Sequence, residues 1–312
     1  MRLASPSTAR GNPILKALTV ILKALTVTYR EKTSYSRMLR CSAALRIMLF
    51  PRTIYQFNSM NLIEKLRHPT GDHDPLYFID HRYYISKQFT LRQRIDVAMG
   101  HHKYELQAYN PDYVKQVYEL EGILLWQRCF DDLKFHIVLA ASADHRAEGD
   151  LTVILSVNNI RLSSISFCYL NTNIFGLKPN MTMMISRIQA HQTSDRERFD
   201  RHFKQNTPQL FCLNAVCGIA MANGFETMFA IKHDAQIHYE EHQSGFRNSY
   251  TELWEKFDAV EVNGHVYMLN VPLKLRPIEL VNPAHRRRAR ARRRYWDDIF
   301  HSARQSMVKY RT

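Results

Sequence analysis

The sequence predicts an α+β fold: a mixed, mostly antiparallel central sheet flanked by helices, with basic helical N- and C-terminal extensions. Three observations predict it. Between residues 122 and 190 the hydrophobic period is two, the period of a strand with one face buried. The segment 208–222 is apolar almost all round, as a helix inside a core must be. Third, the net charge of +14 is gathered at the ends: residues 1–50 carry +8, residues 282–312 carry +8, and the middle is left at −2. This charge pattern divides the chain into a basic helical extension (1–75), an α+β core (76–281) and an arginine-rich amphipathic helix (282–312).

The first segment contains an exact tandem repeat, ILKALTV, over Ile14–Val27. Lys16 and Lys23 interrupt its apolar face, so it is neither a secretory signal nor a membrane span, and two heptads are too few for a coiled coil. An amphipathic helix packed on the body, one lying on a membrane surface, or a frayed extension is expected, in that order. No apolar run reaches the roughly 20 residues a membrane-spanning helix requires.

Within the core, 90–102 and 111–121 read as amphipathic helices. Asn110-Pro111, Thr207-Pro208 and Asn282-Pro283 each place a capping residue before a proline at the first helical position. Four strands follow 122, marked by Phe135/Ile137/Leu139, Leu151/Val153/Leu155/Val157, Ile165/Phe167/Tyr169 and Met181/Met183/Ile185. A polar helix near 194–204, the apolar helix 208–222 and a short buried strand at Thr227–Ile231 come next. Tyr250, Leu253, Trp254 and Phe257 then share one helical face. Beyond them Asn263-Gly264 turns a hairpin, because a type I′ turn needs positive φ at both central residues.

The segment His238–Ala259 resembles the VirK/YbjX family of bacterial proteins, as do Glu148-Gly149-Asp150-Leu151, Ile165-Ser166-Phe167, Ser186-Arg187-Ile188-Gln189-Ala190 and the arginine-rich end. The resemblance covers residues 75 to 300. It implies a Gram-negative cytoplasmic protein linked to virulence, to production of a surface virulence protein and to antimicrobial-peptide resistance. The element order, and Asn248–Phe257, are also similar to the acyl-CoA-dependent N-acetyltransferase fold. That second resemblance implies acyl-CoA as an alternative cofactor and a transferase acting on an envelope component as an alternative function. Its pyrophosphate turn would fall on Arg187, Gln189 and Gln192, although the glycines that let a backbone approach phosphate are missing there. Trp254 stands where a catalytic tyrosine would be, which leaves Tyr239, Tyr250 and Glu241 as catalytic candidates.

His238-Tyr239-Glu240-Glu241-His242 has the spacing of an inverted zinc motif, but it precedes the helical pattern, so a polar loop and no metal are expected. The cysteines 41, 129, 168, 212 and 217 form no CxxC and stand among apolar neighbours, as buried free thiols of a reducing compartment do. The expected location is therefore the cytoplasm, with peripheral contact at the inner membrane face. Arg286, Arg287, Arg288, Arg290, Arg292, Arg293 and Arg294 crowd the start of the last helix, against its dipole. Either they form a solvated or frayed tail, or RNA or anionic lipid compensates them; an RNA-binding post-transcriptional regulator is a third reading of function.

Overall fold

The computed structural model describes residues 45–46, 49–51, 56–57, 60, 77–80, 82–142, 146–191, 193, 195–204, 206–240 and 250–312. The tandem repeat, Cys41, Gln192, Glu241 and His242 lie outside them. Contacts divide the chain into two compact units, Met1–Arg82 and Tyr83–Thr312. The sequence reading set boundaries at 75 and 281. In the first unit a helical turn at Tyr77–Asp80 sets Phe78 edge-on to Phe57, with ring centroids 4.9 Å apart.

The second unit opens with α1 (Leu91–Ala108), longer than the 90–102 the sequence suggested. Thr90 and Gln93 close its start as a reciprocal capping box. Then α2 (Pro111–Val114), capped by Asn110, widens into a π turn over Lys115–Glu119. Five strands follow rather than four: β1 (Ile123–Phe130), β2 (Leu133–Ala141), β3 (Leu151–Val157), β4 (Ile160–Asn171) and β5 (Met181–Ala190). The unexpected one is β1. A register shift between Leu124 and Trp126 breaks its alternation, so the period-two signal fails there.

After β5 come α3 (Arg196–His202), α4 (Pro208–Ala222), β6 (Thr227–Ile231), the short α5 (Glu252–Glu255), β7 (Val260–Val262), β8 (Val266–Asn270) and α6 (Pro283–Val308). The hairpin turns where expected, with φ of 49° at Asn263 and 78° at Gly264.

The strands form one sheet in the order β1-β2-β3-β4-β5-β6-β8-β7. Every pairing is antiparallel except β5–β6, which the α3–α4 crossover makes parallel. β4 is buried without interruption from Leu162 to Leu170, so both faces of the sheet centre are covered. α4 lies against β3, β4 and β5; α1 lies against β4; α6 lies across α4 and β1. Gly218 allows the α4–α6 crossing, because a Cβ there would stand 2.5 Å from Phe300 O and 2.8 Å from Ala303 Cβ. Among the described cysteines, 168, 212 and 217 are buried, but Cys129 on the edge strand is exposed, contrary to expectation.

Candidate functional site

Segments far apart in the sequence meet at the start of β3. Gly149 has φ +150°, and a Cβ there would lie 2.8 Å from Phe167 N, so only glycine lets this turn cross β4 so closely. Ser166 pairs with Arg187 and Phe167 with Ile185, which leaves Ser186 as the extra residue of a bulge in β5. Its hydroxyl donates to Glu148 O, with Ser166 O a second acceptor at 3.3 Å. The bulge also aims Arg187 at the buried Glu148 carboxylate, Nε to Oε2 2.8 Å. Gln236 Nε2 donates to the other Glu148 oxygen at 2.6 Å. Arg187, which the sequence assigned to phosphate, is thus turned onto an internal carboxylate.

A second buried network adjoins the first. Tyr84 donates to Asp150 Oδ2 at 2.5 Å, and His102 Nε2 lies 3.9 Å from Asp150 Oδ1. His102 Nδ1 is 3.4 Å from Glu105 Oε2, and His101 Nε2 is 3.1 Å from the same oxygen. Tyr113 and Tyr118 also donate to Glu105, at 2.8 and 2.6 Å. Burial pushes the Glu105 carboxyl up, but the charges and hydrogen bonds of the two histidines outweigh it and hold the group well below the usual carboxylate range. At Asp150 burial outweighs a main-chain hydrogen bond that lowers it and drives the carboxyl well above that range. Two carboxyls on either side of one imidazole are therefore shifted in opposite directions, Glu105 down and Asp150 up.

His101, His102 and Glu105 offer three ligand atoms within 4.8 Å of one another. Yet His101 Nδ1 is turned away from the cluster and accepts the Tyr169 N–H at 3.1 Å, so only its Nε2 faces the other two groups. That nitrogen stands against the Glu105 carboxylate. The three residues form a buried polar cluster in which Glu105 also accepts two tyrosine hydroxyls.

β5 and β6 pair only at Met184–Phe229 and Ile185–Ala230 and then part. Two side chains from the α5 turn fill the parting. Tyr250 Oη accepts the Ile188 N–H at 3.1 Å, and Trp254 Nε1 donates to Ile231 O at 3.0 Å. Burial pushes the Tyr250 phenol up to about 12.

Comparison with known proteins now has geometry to meet. The family described as "Protein of unknown function (DUF535)" matches residues 33–305. The chain belongs to the DUF535 family. No curated protein matches it. Two mutant forms of a cAMP-binding acyltransferase from Mycobacterium smegmatis are similar in structure at 9% identity, with TM-scores of 0.27 and 0.28. The match covers 69% of this chain and spans only 62% and 63% of theirs.

In this DUF535 chain α6 carries all seven arginines, but not in one role. Arg287, Arg288, Arg290 and Arg294 are exposed. Arg286 folds back on Val281 O (2.9 Å) and Glu279 O (2.6 Å), and Arg293 donates to Arg276 O. Trp296, Ile299, Ala303 and Met307 are buried, with Trp296 Nε1 donating to Asn206 Oδ1 at 2.9 Å. The predicted amphipathic helix is therefore half built into the core.

The other predicted residues are dispersed. Tyr239 sets its ring 5.3 Å from His233 and accepts Lys87 Nζ on its main-chain oxygen. Gln189 is half-buried, and its main-chain oxygen accepts Ser163 Oγ at 2.9 Å. Sequence reasoning missed the His101, His102 and Glu105 cluster. Its signal was the i, i+4 spacing of His101 and Glu105, hidden because the helix was expected to stop at 102.

Proposed function

We propose that this chain is a VirK/YbjX-type protein that binds anionic lipid at the inner face of the bacterial membrane, on an acyltransferase-like core without a working cofactor cleft. The observation that carries this reading is the outward set Arg287, Arg288, Arg290 and Arg294 on a helix whose other face is anchored in the core. Such a helix holds its charges in place without needing the ligand to fold it. Tyr250 and Trp254 support the non-catalytic half, since they occupy the strand parting where a cofactor would have to enter. A phenol held near 12 is also a poor proton donor at neutral pH. The family resemblance supports a part in virulence, surface-protein production and survival of antimicrobial peptides.

Sedimentation with phosphatidylglycerol vesicles tests the lipid half. Binding should weaken steeply with salt and be lost when the four outward arginines become Gln; phosphatidylcholine vesicles should not bind. Binding to RNA but not to vesicles would favour the post-transcriptional reading.

One observation favours acyl-CoA transfer as a second reading: a cavity adjoins the β5 end at Ile188 and Ala190. Release of free thiol from acyl-CoA in the presence of envelope fractions would move the conclusion to that reading.

A further inference from the structure

The cavity beside the end of β5 measures about 540 Å³, within the roughly 300–1,000 Å³ of pockets that hold small ligands. Leu210, Leu253, Phe257 and Trp296 give it apolar walls. Among the described residues Lys256, Arg276, Arg292 and Arg293 are its charged side chains, and no Asp or Glu lines it. Lys256 and Arg276 are exposed at the rim, while Arg292 and Arg293 are half-buried. Two polar atoms at this cavity are buried without a hydrogen-bond partner: Arg292 Nε, a donor, and Gln209 Oε1, an acceptor. Thr207, which also lines it, leaves the first turn of α4 without a side-chain cap.

A cavity built this way asks for three things in one ligand. Its walls want an apolar chain, since water against Leu, Phe and Trp surface is unfavourable. Its four cations, with no acid among the described lining residues, want a group of more than one negative charge, which phosphate supplies. The unmet acceptor on Gln209 wants a hydroxyl or N–H nearby. Neither a free phosphate nor a neutral fatty alcohol meets all three.

We infer that this cavity is a binding site for a single acyl chain that carries a phosphate, with the chain between Leu210, Leu253, Phe257 and Trp296 and the phosphate on Arg292, Arg293, Arg276 and Lys256. The inference deepens the lipid-binding reading and rests on it, but the residues differ: Arg292 and Arg293 serve the cavity, whereas Arg287, Arg288, Arg290 and Arg294 face outward. Two sources share the chemistry: a single-chain lipid phosphate, as the lipid-binding reading requires, and an acyl-CoA, whose tighter binding would move the conclusion to the second reading.

Isothermal titration of the full chain tests it. The probes are lauroyl lysophosphatidate below its micelle concentration, lauroyl-CoA, monolauroylglycerol and inorganic pyrophosphate. One site per chain is expected for a chain-plus-phosphate probe, and the tighter of the two such probes names the source. Monolauroylglycerol and pyrophosphate should each bind at least about tenfold more weakly, since each lacks half the contacts, and tenfold corresponds to about 1.4 kcal/mol. R292Q combined with R293Q should weaken the tight probe at least about tenfold. R287Q combined with R288Q and R290Q should leave it unchanged while weakening vesicle binding. Of the three tryptophans only Trp296 lines the cavity, so its emission, read in a W126F/W254F variant, should shift on titration and reports occupancy even if the double arginine variant folds poorly. Equal binding of all four probes, or no tight binding with an unshifted Trp296 spectrum, overturns the cavity assignment. Vesicle binding that persists in that case leaves the outward arginines standing alone; cavity binding without vesicle binding removes the membrane reading and keeps the site.

Discussion

Tyr250 Oη and the main chain of Ile188 form a closed pair: the phenol accepts the Ile188 N–H at 3.1 Å and lies 3.4 Å from the same residue's carbonyl oxygen. A side chain thereby replaces the neighbouring strand at the point where β6 has moved away. Tyr250→Phe leaves that N–H unmet, at a cost of about 1–3 kcal/mol. Urea unfolding should show the loss as a lower midpoint at an unchanged slope. An unshifted midpoint means that another group takes the N–H, and the account of the closed parting fails.

Gly218→Ala sets two effects against each other. Removing a glycine from a helix interior stabilises by up to about 1 kcal/mol. Against this, the new methyl meets Phe300 O at 2.5 Å, and main-chain atoms of a long helix do not yield as a flexible side chain would. Overpacking of this kind costs about 1–3 kcal/mol, so a net loss is expected. The loss should fall on α6, read as faster amide exchange over 296–307 than over β3. A variant as stable as the parent removes the claim that the crossing is tight.

Glu105 and Asp150 should give stability of opposite pH dependence. Glu105 is held below its unfolded value, so its contribution is present above about pH 4.3 and is lost as pH falls toward the folded value. Glu105→Gln should therefore be destabilised at pH 7 and approach the parent on acidification. Thermal melts from pH 3 to 7 check this; a constant gap across that range contradicts it.

Asp150 is the reverse case. Its folded value is raised, so its stability contribution is complete below the unfolded value of about 3.9 and declines as pH rises through the folded value. Asp150→Asn cannot ionise and should gain on the parent as pH rises from about 4 to 9. Parallel curves for the two proteins would mean that Asp150 is ionised throughout.

Much of this architecture could be read from the residues, for identifiable reasons. Alternation marked β2, β3 and β4 because one side of each contributes a continuous row such as Phe135, Ile137 and Leu139. Asn263-Gly264 marked the hairpin because few other pairs accept its dihedral angles. β1 was hidden by its register shift, and the full length of α1 by the polar residues that follow His102, whose partners lie elsewhere in the chain. The site was harder. Segments around Glu148, Ser166 and Arg187 were noticed separately, but their convergence depends on the register of β4 against β5, which no local pattern encodes. The partition of the arginines likewise depends on which of them meets Arg276 and Val281.

Asn223 holds one further consequence. Its Oδ1 receives Tyr104 at 2.9 Å, Tyr109 at 2.8 Å and Arg311 Nη1 at 2.8 Å, so one amide joins α1, the end of α4 and the residues after α6. Ser302 donates to Leu125 O across 177 residues, and Arg311 reaches Tyr104 across 207. Such separations make closure slow, because the chain between must be ordered before the contact forms. During synthesis, Trp126 and the outer face of α4 must wait for a helix that follows every other described element. In that interval the half-made sheet exposes an apolar surface open to self-association, and the rate at which α6 docks decides how much of the chain escapes it.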